Sequence, residues 1–147
     1  MADSTESSIR INAEPNTVLD VIADLASYPQ WATQVKAVTV LEEDDGGWPD
    51  QAEFHLDAGP IKDTYVLEYT WDVDEDGTGV ISWTLVRANL LTVMDGSYTL
   101  RADAAATTVT YRLAGDIKLP LLGMVKRTAE RVLVDTALKE LKKRIEG

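Results

Sequence analysis

Cysteine is absent from the 147 residues, and histidine occurs once, as His55. Disulfide staples, thiol catalysis and Cys/His zinc sites are therefore excluded, and no other metal-ligand spacing is present, so no cofactor or metal is expected. Phenylalanine also occurs once, against five Tyr and four Trp. No apolar run approaches the roughly 18 residues of a membrane span, and no cationic, apolar leader opens the chain. A cytoplasmic protein without stable membrane insertion is the expectation. No Gly-rich loop joins a strand to a helix in the way that phosphate-binding motifs require. Internal repeats and low-complexity linkers are missing too. Residues 1–147 are read as one domain, long enough to bury about 68 to 70% of its unfolded surface without staples.

Positive charge is scarce and unevenly placed. The net charge is -11, made up of -14 over residues 1–120 and +3 over residues 121–147. An acidic body repels polyanions, so nucleic acid is not an expected partner. The basic end has a structural explanation: Lys139, Lys142, Lys143 and Arg144 stand in the last turns of a long helix, where cations complement its dipole. Lys126 with Glu130, and Glu140 with Arg144, are spaced as on a solvated helix face.

That helix is predicted from Leu121 to Ile145, since no Gly or Pro follows Gly123 before Gly147 and Ala, Leu, Glu, Lys and Arg dominate. Its apolar face drifts. Leu122, Val125, Ala129, Val132 and Leu133 form one stripe, whereas Val134, Leu138, Leu141 and Ile145 form a second. Ahead of it, Ser8 to Ala13 alternates as a first strand, Pro15 opens a short helix, and Tyr28-Pro29-Gln30-Trp31 reads as a turn or second short helix. From Val35 the period is two. Val35 to Glu42, Asp50 to Ala58, Lys62 to Trp71, Val80 to Arg87, Thr92 to Arg101 and Thr107 to Ile117 are six strands, separated mainly by Asp/Gly and Gly/Pro turn clusters. Short connections make them an antiparallel meander, with the first strand joined at one edge. The fold class is α+β: a seven-stranded antiparallel sheet wrapped around a long C-terminal helix, with two short helices after the first strand.

The order matches the helix-grip fold, and three stretches carry a family resemblance. Tyr28-Pro29-Gln30-Trp31, Asp95 to Leu100 followed by Thr107 to Tyr111, and Pro120-Leu121-Leu122-Gly123-Met124 resemble the START-like (SRPBCC) superfamily. Within it, they are most similar to the polyketide cyclase/dehydrase and lipid-transport group of small bacterial proteins. The resemblance implies a cavity between sheet and helix that binds or transports a small hydrophobic ligand: a lipid, an isoprenoid or a polyketide-like molecule.

Strand parity then names the walls. The more apolar faces place Phe54, Leu56, Tyr65, Leu67, Tyr69, Trp71, Ile81, Trp83, Leu85, Met94, Tyr98, Leu100, Val109, Tyr111 and Leu113 inward. Phe54, Tyr65, Leu67, Tyr69, Trp83, Leu85, Met94, Tyr98 and Tyr111 are the expected ligand-binding wall, with Leu122, Val125 and Ala129 of the helix as the roof. Arg87 shares parity with Leu85 and is expected at the mouth. The opposing reading is an ordinary packed core with no cavity. His55, Asp63 and Asp95 are expected to face solvent, and no inward position holds Asp or Glu, so no catalytic residue is assigned. Two further readings stand beside the binding protein. One is a polyketide aromatase/cyclase or dehydratase using a Tyr with Arg87. The other is a protein-interaction module, whose sign would be exposed Tyr28 and Trp31. Access to the cavity is expected near Arg87 to Leu91 and the start of the long helix.

Overall fold

Alternation at period two produces seven strands, numbered β1 (Thr5–Ile11), β2 (Val35–Glu43), β3 (Pro49–Ala58), β4 (Ile61–Val73), β5 (Gly79–Ala88), β6 (Leu91–Asp103) and β7 (Ala106–Ile117). Between β1 and β2 lie α1 (Pro15–Ala23) and a 3-10 helix (Leu25–Gln30); α2 (Gly123–Glu146) closes the chain. This computed structural model describes residues 4–58, 61–117 and 123–147, with backbone only for Ala58, Ile61 and residues 123–126. All strands pair antiparallel in the order β1-β7-β6-β5-β4-β3-β2. The first strand starts earlier than its apolar alternation suggests, because pairing with β7 recruits polar residues: Thr5 stands opposite Leu113 and Ser7 opposite Tyr111. It ends at Ile11, where the Ala13 N–H turns back to the Ile11 carbonyl at 2.9 Å.

Local chemistry fits these elements. Pro15 occupies the first turn of α1, where its missing N–H has no helical partner to lose. The β4–β5 turn rests on that helix start. Gly77 has φ +90°, and a Cβ there would come within 2.5 Å of the Asn16 nitrogen, so a side chain is excluded both by the turn and by the contact.

The sheet is bent by bulges. Extra residues fall at Lys36 in β2, Val86 in β5 and Thr92 in β6, seen as register shifts between their neighbours. The solid core lies where β1, β6 and β7 meet α1 and α2. Ile11, Ile22, Ile81, Leu100, Val109, Leu113, Val134, Leu138 and Leu141 are all at most 2% exposed there.

On α2 the second apolar stripe is buried through Val134, Leu138 and Leu141. The first is narrower than expected. Val132 is 51% exposed, because it stands one residue from both Leu133 and Arg131 and so about 100° around the helix from either. Leu122 lies outside the described residues, as does the Val125 side chain. No helix among the described residues is long and apolar enough to cross a membrane.

Candidate ligand-binding site

A cavity of about 90 Å³ lies between the inner face of β3 to β7, the 3-10 helix and α2. Phe54 and Leu56 come from β3, Tyr65, Leu67 and Tyr69 from β4, Trp83 from β5, Met94 and Tyr98 from β6 and Tyr111 from β7. Five strands laid flat would spread over about 19 Å. That all five reach one small void shows how strongly the sheet curls. Leu133, Ala137 and Glu140 of α2 form the roof, and Tyr28, Trp31, Ala32, Gln34 and Val35 close the remaining side.

The rings form a continuous chain around the space. Phe54 stacks on Tyr65 at 5.4 Å between centroids, Tyr69 meets Trp83 at 5.8 Å, and Trp83 meets Tyr98 at 5.4 Å and Tyr111 edge-on at 5.8 Å. Such offset and edge contacts stabilise the wall beyond simple burial. Tyr28 donates its hydroxyl to the Ile22 carbonyl at 2.6 Å, which anchors the 3-10 helix to α1. Burial pushes the phenol pKa of Tyr28, Tyr65, Tyr69, Tyr98 and Tyr111 upward, so all remain protonated and able to donate.

Two buried side-chain polar atoms among the described residues have no hydrogen-bond partner: Trp83 Nε1 and Glu130 Oε1. Glu130 is 4% exposed, and its other oxygen accepts the Gly115 N–H at 2.9 Å. It stands one turn ahead of Leu133 on the roof stripe. Asp63 is the second buried acid among the described residues. Its Oδ1 accepts the N–H groups of Thr64 and Asn89, and its Oδ2 those of Leu90 and Leu91, at 2.8 to 3.1 Å. One carboxylate thus holds the whole β5–β6 turn.

The family model described as "Polyketide cyclase / dehydrase and lipid transport" matches residues 2–146. The chain belongs to this family. No curated protein sequence matches it significantly. Among solved structures, it is similar to a START superfamily protein from Mycobacterium smegmatis, with a TM-score of 0.88 and 17% identity over 97% of both chains. It is also similar to the Zhui aromatase/cyclase from a Streptomyces species, with a TM-score of 0.79 and 19% identity over 99% of this chain and 94% of that one. A Thermus thermophilus protein gives a TM-score of 0.79 and 18% identity over 97% of both. At these identities the likeness establishes the START-like fold.

Within this START-like chain, the expected wall residues Phe54, Tyr65, Leu67, Tyr69, Trp83, Met94, Tyr98 and Tyr111 are brought together around the cavity. Leu85 and Ala129 are half-buried but outside its lining; the roof is carried by Leu133 and Ala137, one and two turns further along α2. Arg87 is corrected outright. The bulge at Val86 sets Arg87 opposite Val66 rather than opposite an inward residue, so it lies exposed on the outer face. The Tyr–Arg pair invoked for cyclase chemistry is therefore not assembled.

Tyr28 and Trp31 are 8% and 9% exposed and line the cavity instead of forming a surface patch. His55 is exposed and meets Thr64 Oγ1 at 3.1 Å. Asp63 shares parity with Tyr65 and is buried. Asp95, exposed, accepts the Leu85 N–H at 3.0 Å. Sequence reasoning missed Glu130, which spacing had placed on a solvated face; its position three before Leu133 was the available signal.

Proposed function

We propose that this protein binds a small hydrophobic ligand in the cavity beneath α2 and acts as its carrier or sensor. The observation that carries this reading is the set of four hydroxyls on Tyr65, Tyr69, Tyr98 and Tyr111. Their rings are buried around the void, and no hydrogen bond from them is found among the described residues. In a packed core, buried hydroxyls find protein partners; here they face space that a ligand or a few waters can fill. At about 90 Å³ the void is below the size of most ligand pockets, so uptake requires widening.

The seam between Trp31–Val35 and α2 is the natural route. It is bridged by the Thr33 N–H to Glu140 at 3.2 Å and by Arg144 to Gln30 at 2.9 Å, both exposed. The β5–β6 turn, pinned by Asp63, is the less mobile alternative. Native mass spectrometry before and after organic extraction tests the reading: a mass that disappears on extraction supports it. An empty protein with no thermal shift across a panel of lipids and phenolics removes it, since ligand at about 100 times its Kd adds about 2.7 kcal/mol.

A further inference from the structure

Glu140 is the one charged side chain found in the cavity lining among the described residues, and it stands there with eight aromatic residues. Its carboxylate has no cation beside it: no ion pair to it is found among the described residues. Spacing along the helix offers it Arg144, one turn on, but Arg144 donates to Gln30 Oε1 at 2.9 Å instead. Lys36, next to the same seam, donates to the Thr33 carbonyl at 2.8 Å. What Glu140 does hold is the Thr33 N–H, shared between its two oxygens at 3.2 and 3.3 Å. One neutral donor leaves most of the carboxylate's acceptor capacity, and all of its charge, unanswered. That charge sits half-buried where the aromatic cavity meets the seam.

An aromatic wall beside a lone carboxylate selects for one sign of charge. Ring faces carry partial negative charge, and the attraction between a cation and a ring strengthens when both leave water. The chain's net charge of -11 draws cations toward it in the same sense. We infer that the cavity takes a hydrophobic organic cation, an ammonium head group bearing alkyl or aryl substituents, held against the rings with Glu140 as its counter-ion. An alkylated ammonium suits this lining better than a primary one, because it brings no N–H group that must find an acceptor. At about 90 Å³ the void takes the head group, and the rest of the ligand leaves along the seam. Carboxylate-headed ligands are disfavoured, since Glu140 repels them and no Lys or Arg is found in the lining among the described residues. Lys36 and Arg144 are exposed and outside the lining, so an anion held by them stays away from the rings.

This inference rests on the carrier reading and names the class of its ligand. Calorimetric titration of the full chain compares three probes that share a benzene ring and a tetrahedral head: phenyltrimethylammonium, its neutral isostere tert-butylbenzene, and benzenesulfonate. The cation is expected to bind at least about tenfold more tightly than tert-butylbenzene, with benzenesulfonate weakest. Glu140→Gln keeps an amide oxygen for the Thr33 N–H and removes the charge. The cation then loses about tenfold, while tert-butylbenzene stays within about threefold. Ala137→Trp, which fills the void, abolishes binding of both. Equal binding of the cation and its isostere, or a cation affinity unchanged in folded Glu140→Gln, overturns the inference while the carrier reading stands on the neutral probe. Cation binding retained in folded Ala137→Trp also overturns it, since the acidic surface is then the site. If the folded wild type binds none of the three, the inference falls, and the lipid and phenolic panel decides the carrier reading separately.

Discussion

Among single residues, the five tyrosines divide by where their hydroxyls go. Tyr28 spends its hydroxyl on the Ile22 carbonyl, whereas Tyr65, Tyr69, Tyr98 and Tyr111 line the cavity and make no hydroxyl hydrogen bond among the described residues. Tyr28→Phe therefore leaves a buried carbonyl unpaired and is expected to cost about 1 to 1.5 kcal/mol. Tyr98→Phe has no intramolecular bond to lose and should change stability by under about half that. Urea unfolding of the two variants compares them directly; equal losses would show that the Tyr98 hydroxyl has a protein partner. Parity alone could not make this division, because alternation tells which face a ring takes but not what its polar tip meets.

The β5–β6 turn and α2 are the elements where local signals and outcome diverged most. Without Asp63 the Asn89, Leu90 and Leu91 N–H groups lose their common acceptor. Asp63→Ala is expected to cost about 2 to 3 kcal/mol and to accelerate amide exchange in the turn ahead of the rest of the sheet. Unchanged protection there would mean that water replaces the carboxylate fully.

On α2, Ala137 faces the cavity and Leu141 the solid core. Ala137→Trp should fill the void and abolish ligand uptake with the domain still folded, whereas Leu141→Ala should cost about 2 to 5 kcal/mol and leave binding intact. Calorimetric binding and denaturant melts on both variants check this; the reverse pattern would move the roof to the other stripe. The drift of the helix's apolar face was visible in the sequence. The expected roof was Leu122, Val125 and Ala129; that Leu133 and Ala137 line the cavity, and Ala129 does not, depends on what lies across from each along the helix.

For the molecule as a whole, stability should fail at high pH. All five phenols carry pKa values raised above the ordinary 10.0 by burial. A group whose folded pKa lies above its unfolded one stabilises fully below the unfolded value and loses that contribution as pH climbs from there through the folded value. Each phenol therefore withdraws about 1.4 kcal/mol per pH unit above 10. Tyrosinate absorbance is expected to rise in one cooperative step that coincides with loss of circular dichroism. Five independent titrations near pH 10 in a protein that stays folded would place the rings in water.

Strand number, meander order, the long helix and most of the aromatic wall followed from periodicity and turn residues, because these depend on which neighbours along the chain share a face. The family resemblance was legible for the same reason, its stretches being structural. What tertiary structure alone decided was everything that depends on partners distant in the chain. A single extra residue, Val86, turned Arg87 to the outer face. Folding placed Asp63 under the backbone of a turn 26 residues away. It also buried Trp83 Nε1 and Glu130 Oε1 without a hydrogen-bond partner among the described residues. Alternation fixes direction within a strand, but only register, bulges and curvature determine which polar atoms meet and which are left without a partner.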